Sequence, residues 1–225
     1  MKKLLLIILL PLTLAANAKE KEVEKVLGTY WNSYSNKSLQ VSAIVDKDNE
    51  ITLFLEIPVN HRGVQEMKLE IEEENIPILK ETLLDVKDLR WQYRTYLKNE
   101  GITETIEFKM DNKLPRMRLW WKVGDYWKFS VWEKRCKPKF LSEKGYYYVY
   151  IEERTNRSTL KEDLTSAAIT SVLGALLGIP EDMPTYVSEP EYITFKWGWS
   201  TQDDFNAIIN WLDIEKLKSK YKAKK

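Results

Sequence analysis

Residues 116–133 read RMRLWWKVGDYWKFSVWE, two stretches of alternating character on either side of Gly124-Asp125. A Gly-Asp pair between period-two runs is the signature of a tight β-hairpin. With these two residues as the turn, partners count outward from it and side chains alternate between faces. One face then pairs Val123 with Tyr126, Trp121 with Lys128, Leu119 with Ser130 and Met117 with Trp132. The other pairs Lys122 with Trp127, Trp120 with Phe129, Arg118 with Val131 and Arg116 with Glu133.

Both faces carry large rings, whereas an antiparallel sheet covered on one side shows one apolar and one polar face. Two arrangements meet that description. In one, helices or a second sheet cover both sides and the Arg and Lys stems lie over rings at the edges. In the other, the face of Arg116, Arg118, Trp120, Lys122 and Trp127 is open, offering stacking platforms flanked by cations. The second arrangement makes these five residues the candidate ligand-binding site. Segment 116–139 adds to it, with eight basic residues against Asp125 and Glu133. Such a surface suits an acidic protein or a glycan.

Working outward, Val23, Val26, Leu27, Tyr30, Trp31 and Tyr34 recur at three- and four-residue steps and predict an amphipathic helix. Leu39 to Val45 and Ile51 to Ile57 alternate around a polar turn and predict a hairpin, with Met67, Leu69 and Ile71 as a further strand. Asn75 and Pro77 open a helix that runs to Gly101. Strands are expected at 102–110, 115–123, 126–134 and 146–153. Thr159 and Glu162 have capping-box spacing, so a helix is expected up to Gly178. One more strand, Tyr192 to Trp199, leads to a last helix opened by Ser200, Thr201, Asp203 and Asp204. The sum is an α+β fold: a predominantly antiparallel sheet of about seven or eight strands with four packing helices.

The chain begins MKKLLLIILLPLTLAANA, a charged start, a short apolar core and an Ala-x-Ala exit. These are the parts of a cleavable secretory signal. Leu4 to Leu14 is too short to span a bilayer, which takes roughly 20 apolar residues. Cleavage after Ala18 is expected, placing the protein in the periplasm or outside the cell. Removing residues 1–18 from the 225-residue chain leaves 207, enough for one core without covalent staples. Residues 19–215 are read as a single domain, with Gly101 as the candidate boundary, followed by a basic tail at 216–225. Losing Lys2 and Lys3 turns the formal charge from +1 to −1, and the tail holds six lysines, so 19–215 carries −7. Export and the slightly negative mature charge disfavour nucleic acid, the other ligand that basic and aromatic side chains together suit. The tail's lysines would also be attracted to anionic lipid headgroups.

Catalytic motifs are missing. His61, the only histidine, lies in the turn-like PVNHRG, which excludes a multi-histidine metal site. Gly198-Trp199-Ser200 starts like a nucleophile elbow, but Gln202 stands where the second glycine is required. Asp46-Lys47-Asp48-Asn49-Glu50 starts like a calcium loop and lacks its glycine and closing glutamate. Cys136, the only cysteine, sits among cations that favour its thiolate, and allows no intrachain disulfide. Residues 164–179, LTSAAITSVLGALLGI, are uncharged and read as a buried helix. No cofactor or metal is expected, and no oligomeric state is implied. The expectation is an exported, non-enzymatic envelope protein that binds a protein partner of inhibitor, immunity or assembly-factor type. The alternative is a carboxylate-dependent hydrolase or glycan-binding module acting on cell-wall polysaccharide.

Overall fold

The first described element is a strand, not a helix. In the computed structural model, which describes residues 23–130, 134–156 and 192–223, the predicted helix at 23–34 is β1 (Lys25–Asn32). The cause of the misreading is a β-bulge. Pairing with the next strand runs Val26 to Ser42 and then Gly28 to Val41, so Leu27 is the extra residue. Leu27 and Tyr30, three apart, therefore both face the core. A bulge resets the alternation of a strand and here imitates a helical step.

From β1 the chain winds antiparallel through β2 (Lys37–Val45), β3 (Ile51–Glu56) and β4 (Glu66–Glu72). Helix α1 (Asn75–Asn99) follows. It ends in a Schellman motif, with Ile102 N donating to Leu97 O and Gly101 N to Lys98 O, and Gly101 takes the positive φ of 65° that this ending needs. After β5 (Ile106–Lys109), β6 (Arg116–Val123) returns to pair with β4, and β7 (Tyr126–Phe129) closes the hairpin on it. β8 (Lys134–Arg135) pairs with the start of β6. Then come β9 (Lys139–Glu143), β10 (Tyr146–Asn156), β11 (Tyr192–Trp199), α2 (Gln202–Ile209) and α3 (Ile214–Ala223).

The expected single sheet with four helices is thus replaced by two antiparallel sheets and, among the described residues, three helices. The first sheet has the order β1-β2-β3-β4-β6-β7 with β8 beside β6; the second has the order β11-β10-β9-β5. Each sheet carries one apolar face, and each needs something to bury it against. Val41, Leu53, Leu55, Leu69, Leu119 and Trp121 supply the first face; Phe140, Val149, Ile151, Trp197 and Trp199 supply the second. Both join α1's Leu79, Leu83 and Val86 in one contiguous core. Tyr93 of α1 knits the layers together, its ring 4.9 Å from Phe108 and 5.3 Å from Phe140. The helix expected at 159–178, the apolar stretch 164–179 and the signal segment lie outside the described residues. No helix among the described residues is long and apolar enough to cross a membrane.

Helices α2 and α3 pack on β1, and Gly28 makes that possible. A Cβ at this position would sit 2.6 Å from Trp211 Cη2 and 2.7 Å from Cζ2. The indole is held in turn by Lys220, whose Nζ lies 4.1 Å from the ring centroid. Gly28→Ala is therefore expected to destabilise the protein by about 1–3 kcal/mol, the usual range for overpacking. Chemical denaturation would measure it, and a change below about 0.5 kcal/mol, the range of surface substitutions, would show that the indole gives way freely.

Candidate functional site

Next to the turn the hairpin register is the one expected, with Val123 paired with Tyr126, Lys122 with Trp127, Trp121 with Lys128 and Trp120 with Phe129, but at the far end Met117 pairs with Lys134 and Arg116 with Arg135, two residues beyond the expected Trp132 and Glu133. Gly124 takes the positive φ of 59° that a hairpin turn with glycine in first position requires. Trp121, Leu119 and Met117 turn inward and are buried. Trp120, Lys122 and Trp127 share the opposite face with Arg116 and Arg118, so all five predicted site residues lie on one side of the sheet. None of the described helices or strands covers the outer end of that face, where Trp127 is 37% and Phe129 40% exposed.

Strand β4 supplies the charges that set this face in order. Its register brings Glu66 opposite Lys122, Lys68 opposite Trp120 and Glu70 opposite Arg118. Arg118 Nη1 donates to Glu70 Oε1 at 2.8 Å, and Trp120 Nε1 donates to the other oxygen of the same carboxylate. Lys122 Nζ donates to Glu66 at 2.9 Å. Lys68 Nζ donates to Glu24 at 2.6 Å while lying 4.4 Å from the Phe54 centroid and 4.5 Å from that of Trp127. Phe54, only 6% exposed, is roofed by these side chains. The rings of Trp120 and Phe129 tilt together at 4.7 Å, and the Arg118 guanidinium lies 5.6 Å from Phe129.

The face is thus a pre-ordered surface whose cations lie over rings and whose carboxylates hold the cations. Charge-assisted bonds and cation–ring contacts fix rotamers that an open surface would otherwise leave free. Arg116, at the exposed start of β6, has no ion pair among the described residues. The sequence reading missed Glu66, Lys68, Glu70 and Phe54 as parts of the site. Their one signal was the alternation in β4, where Glu66, Lys68 and Glu70 share a face; which strand they border is not written locally.

The other residues singled out by sequence have structural surroundings. Cys136 is buried, which removes its thiol from the surface. His61 Nδ1 lies 3.0 Å from Arg62 O in a turn. Ser200 Oγ sits 2.6 Å from Ser33 Oγ and 3.1 Å from Asp204 Oδ2, in the cap of α2. Asp46 Oδ1 accepts from the backbone N of Asp48 and Glu50, an Asx turn within the β2–β3 hairpin. The lysine-rich end forms α3, where Lys218 Nζ pairs with Glu73 at 2.8 Å and Lys216 Nζ donates to Asn210 O at 3.0 Å. A second ring-and-cation surface lies on β9–β11, with Lys196 Nζ 4.0 Å from the Tyr150 centroid and Tyr150 Oη donating to Glu107 at 2.8 Å. Tyr150 itself is buried, so this surface is a closed network. Burial, with Glu107 beside it, also pushes its phenol well above the ordinary range.

The fold and this face together define a sheet-rich α+β protein of two antiparallel sheets that carries an exposed aromatic, cation-flanked surface on the first of them. Compared with models of known families, with curated proteins and with solved structures, the chain matches none.

Proposed function

We propose that this is an exported, non-enzymatic protein of the cell envelope that binds a protein partner, of inhibitor, immunity or assembly-factor type, through the β6–β7 face. One observation carries the reading: Trp127 and Phe129, two exposed large rings on a four-residue strand, share a face with Trp120, Arg118 and Lys122. Tyr, Trp and Arg are the residues that most often anchor protein interfaces. The ion pairs beneath them support the same reading, since a surface ordered before binding loses less side-chain entropy on association.

Glycan binding is the competing use of exposed tryptophans. Here Lys68 and Lys122 lie 4.5 Å and 6.0 Å from the Trp127 centroid, occupying part of the ring that a sugar would stack on. For carboxylate chemistry, Glu66 and Glu70 are each engaged by a cation.

A photo-crosslinking residue in place of Trp127 is expected to give one discrete protein adduct in envelope fractions, absent when the same residue replaces exposed Tyr96 on α1. Trp127→Ala should weaken that complex by about 2 kcal/mol, roughly 30-fold, as central interface tryptophans do. Retention on insoluble wall polysaccharide, lost in Trp120→Ala and Trp127→Ala and unaccompanied by a protein adduct, would replace this reading with the glycan one.

A further inference from the structure

Helix α1 carries a stripe of positive charge that nothing on its own turns relieves. Lys87, Arg90, Arg94 and Lys98 follow at steps of three and four, and no Asp or Glu stands three or four residues from any of them. Like charges at that spacing destabilise a helix. Arg90 is the extreme case. It is only 5% exposed, yet its partners are neutral: Nε and Nη2 donate to Tyr147 O, Nη2 also donates to Ser200 O, and Nη1 has no partner among the described residues. Buried charges are normally paired with a counter-charge. Asp204 does not serve, because Ser33, Ser200 and Thr201 engage its oxygens. Burial and the charge of Arg94 together pull the Arg90 guanidinium below the usual arginine range. Arg94 itself makes no ion pair among the described residues and is steadied by Trp91, 5.0 Å from the ring centroid.

Both guanidiniums line a cleft of about 390 Å³ between α1, the start of β10 and the start of α2, a size in the range of small-ligand sites. Trp91, Tyr146, Tyr147 and Gln202 help to wall it, and none of its lining residues is Asp or Glu. All of them are described residues. The chain leaves β10 at Asn156 and re-enters at Tyr192, the paired far ends of β10 and β11, roughly 30 Å along the strand from Tyr147. We propose that this cleft binds a soluble phosphate monoester, with Arg90 Nη1 and Arg94 on the phosphoryl oxygens and the ring of Tyr146 against a flat organic part. Two uncompensated guanidiniums call for a dianion, which a phosphate monoester approaches near pH 7 and a carboxylate does not. The guanidinium fork matches phosphate oxygens in spacing and plane. Tyr146, 64% exposed and stacked 6.2 Å from Tyr148, offers the ring surface. The site lies on α1 and the second sheet, apart from the β6–β7 face, and stands whether or not that face binds a protein.

Isothermal titration calorimetry on the purified full chain tests this, with phenyl phosphate, inorganic phosphate and benzenesulfonate as probes. Phenyl phosphate should bind best, since inorganic phosphate lacks the ring and benzenesulfonate carries one charge. Arg94→Gln should weaken phenyl phosphate about tenfold or more, the loss of a charge-assisted hydrogen bond. Lys47→Gln, which removes the same charge from the exposed β2–β3 turn, should leave it unchanged. Tyr146→Ala should bring phenyl phosphate down to the affinity of inorganic phosphate. Replacing Arg90 would also strand the carbonyls of Tyr147 and Ser200, so Arg90 is followed in the wild type, where its Nε–H resonance should shift as phenyl phosphate is added. No binding of phenyl phosphate, equal affinity for Arg94→Gln and Lys47→Gln, or an unmoved Arg90 resonance overturns the site. Inorganic phosphate binding as tightly as phenyl phosphate overturns the ester. Capture of the chain by phosphatidylcholine vesicles containing phosphatidate, with no response to phenyl phosphate, makes a membrane the source of the phosphate group and overturns the soluble ligand.

Discussion

Asp204→Ala is expected to lower stability by about 3–5 kcal/mol, the range for removing one partner from a buried charged network. Asp204 is buried and accepts from Ser33 N at 2.8 Å, Ser33 Oγ at 2.5 Å, Ser200 N at 2.8 Å, Ser200 Oγ at 3.1 Å and Thr201 N at 2.9 Å. It also completes a capping box with Thr201 at the start of α2. Alanine would strand three backbone N–H groups at the place where the β1–β2 turn meets α2. The charge itself can be tested. Burial pushes the carboxyl upward, but the hydrogen bonds from Ser33, Ser200 and Thr201 outweigh it and hold the group below the usual aspartate range. A depressed folded-state pKa contributes stability that is fully present above the unfolded value of about 3.9 and fades as pH falls through the folded value. Urea denaturation of wild type and Asp204→Asn should therefore show a gap at pH 7 that narrows below about pH 4. A gap of constant size would mean that shape, not charge, is what Asp204 contributes.

Trp199→Ala is expected to be as damaging, at about 3–5 kcal/mol, the usual loss for a buried tryptophan. The indole is fully buried, 4.6 Å from Trp197 and stacked 5.2 Å from Phe205, so it joins the second sheet to α2. Its Nε1 has no hydrogen-bond partner among the described residues. An unpaired buried donor costs about 1–3 kcal/mol. Trp199→Phe removes that donor and keeps a ring, so its loss of packing is largely offset and a net change of about 1 kcal/mol or less is expected. Thermal or urea unfolding of the two variants distinguishes them. If phenylalanine is as damaging as alanine, Nε1 has a buried partner after all.

The hairpin register next to the turn and the shared face of the five predicted site residues were legible because both follow from period two and a two-residue turn, whereas the two-residue shift that puts Lys134 and Arg135 opposite Met117 and Arg116 was not. The nature of β1 was not. Leu27 and Tyr30 repeat like a helix because a bulge inserts one residue, and only the pairing of Gly28 with Val41 reveals it. Nor was the division into two sheets legible. β4 meets β6 across the whole of α1, and that choice of neighbour depends on which apolar faces α1 can cover at once. For the same reason nothing local marked Glu66, Lys68 and Glu70 as neighbours of the hairpin, although they order its face. Arg90 escaped notice for a different reason: an arginine in a polar helix looks solvated, yet its Nε and Nη2 donate to Tyr147 O at 3.1 Å and 2.8 Å, and Nη2 also donates to Ser200 O.

The bulge in β1 makes the two margins of the first sheet unlike. It twists one margin of the first sheet, and Tyr221 of α3 donates to Val23 O just ahead of that strand. The opposite margin, at β7, has neither feature. The two margins therefore respond differently to strain: the bulged one is braced from outside the sheet, and the ladder at β7 depends on its regular pairing with β6.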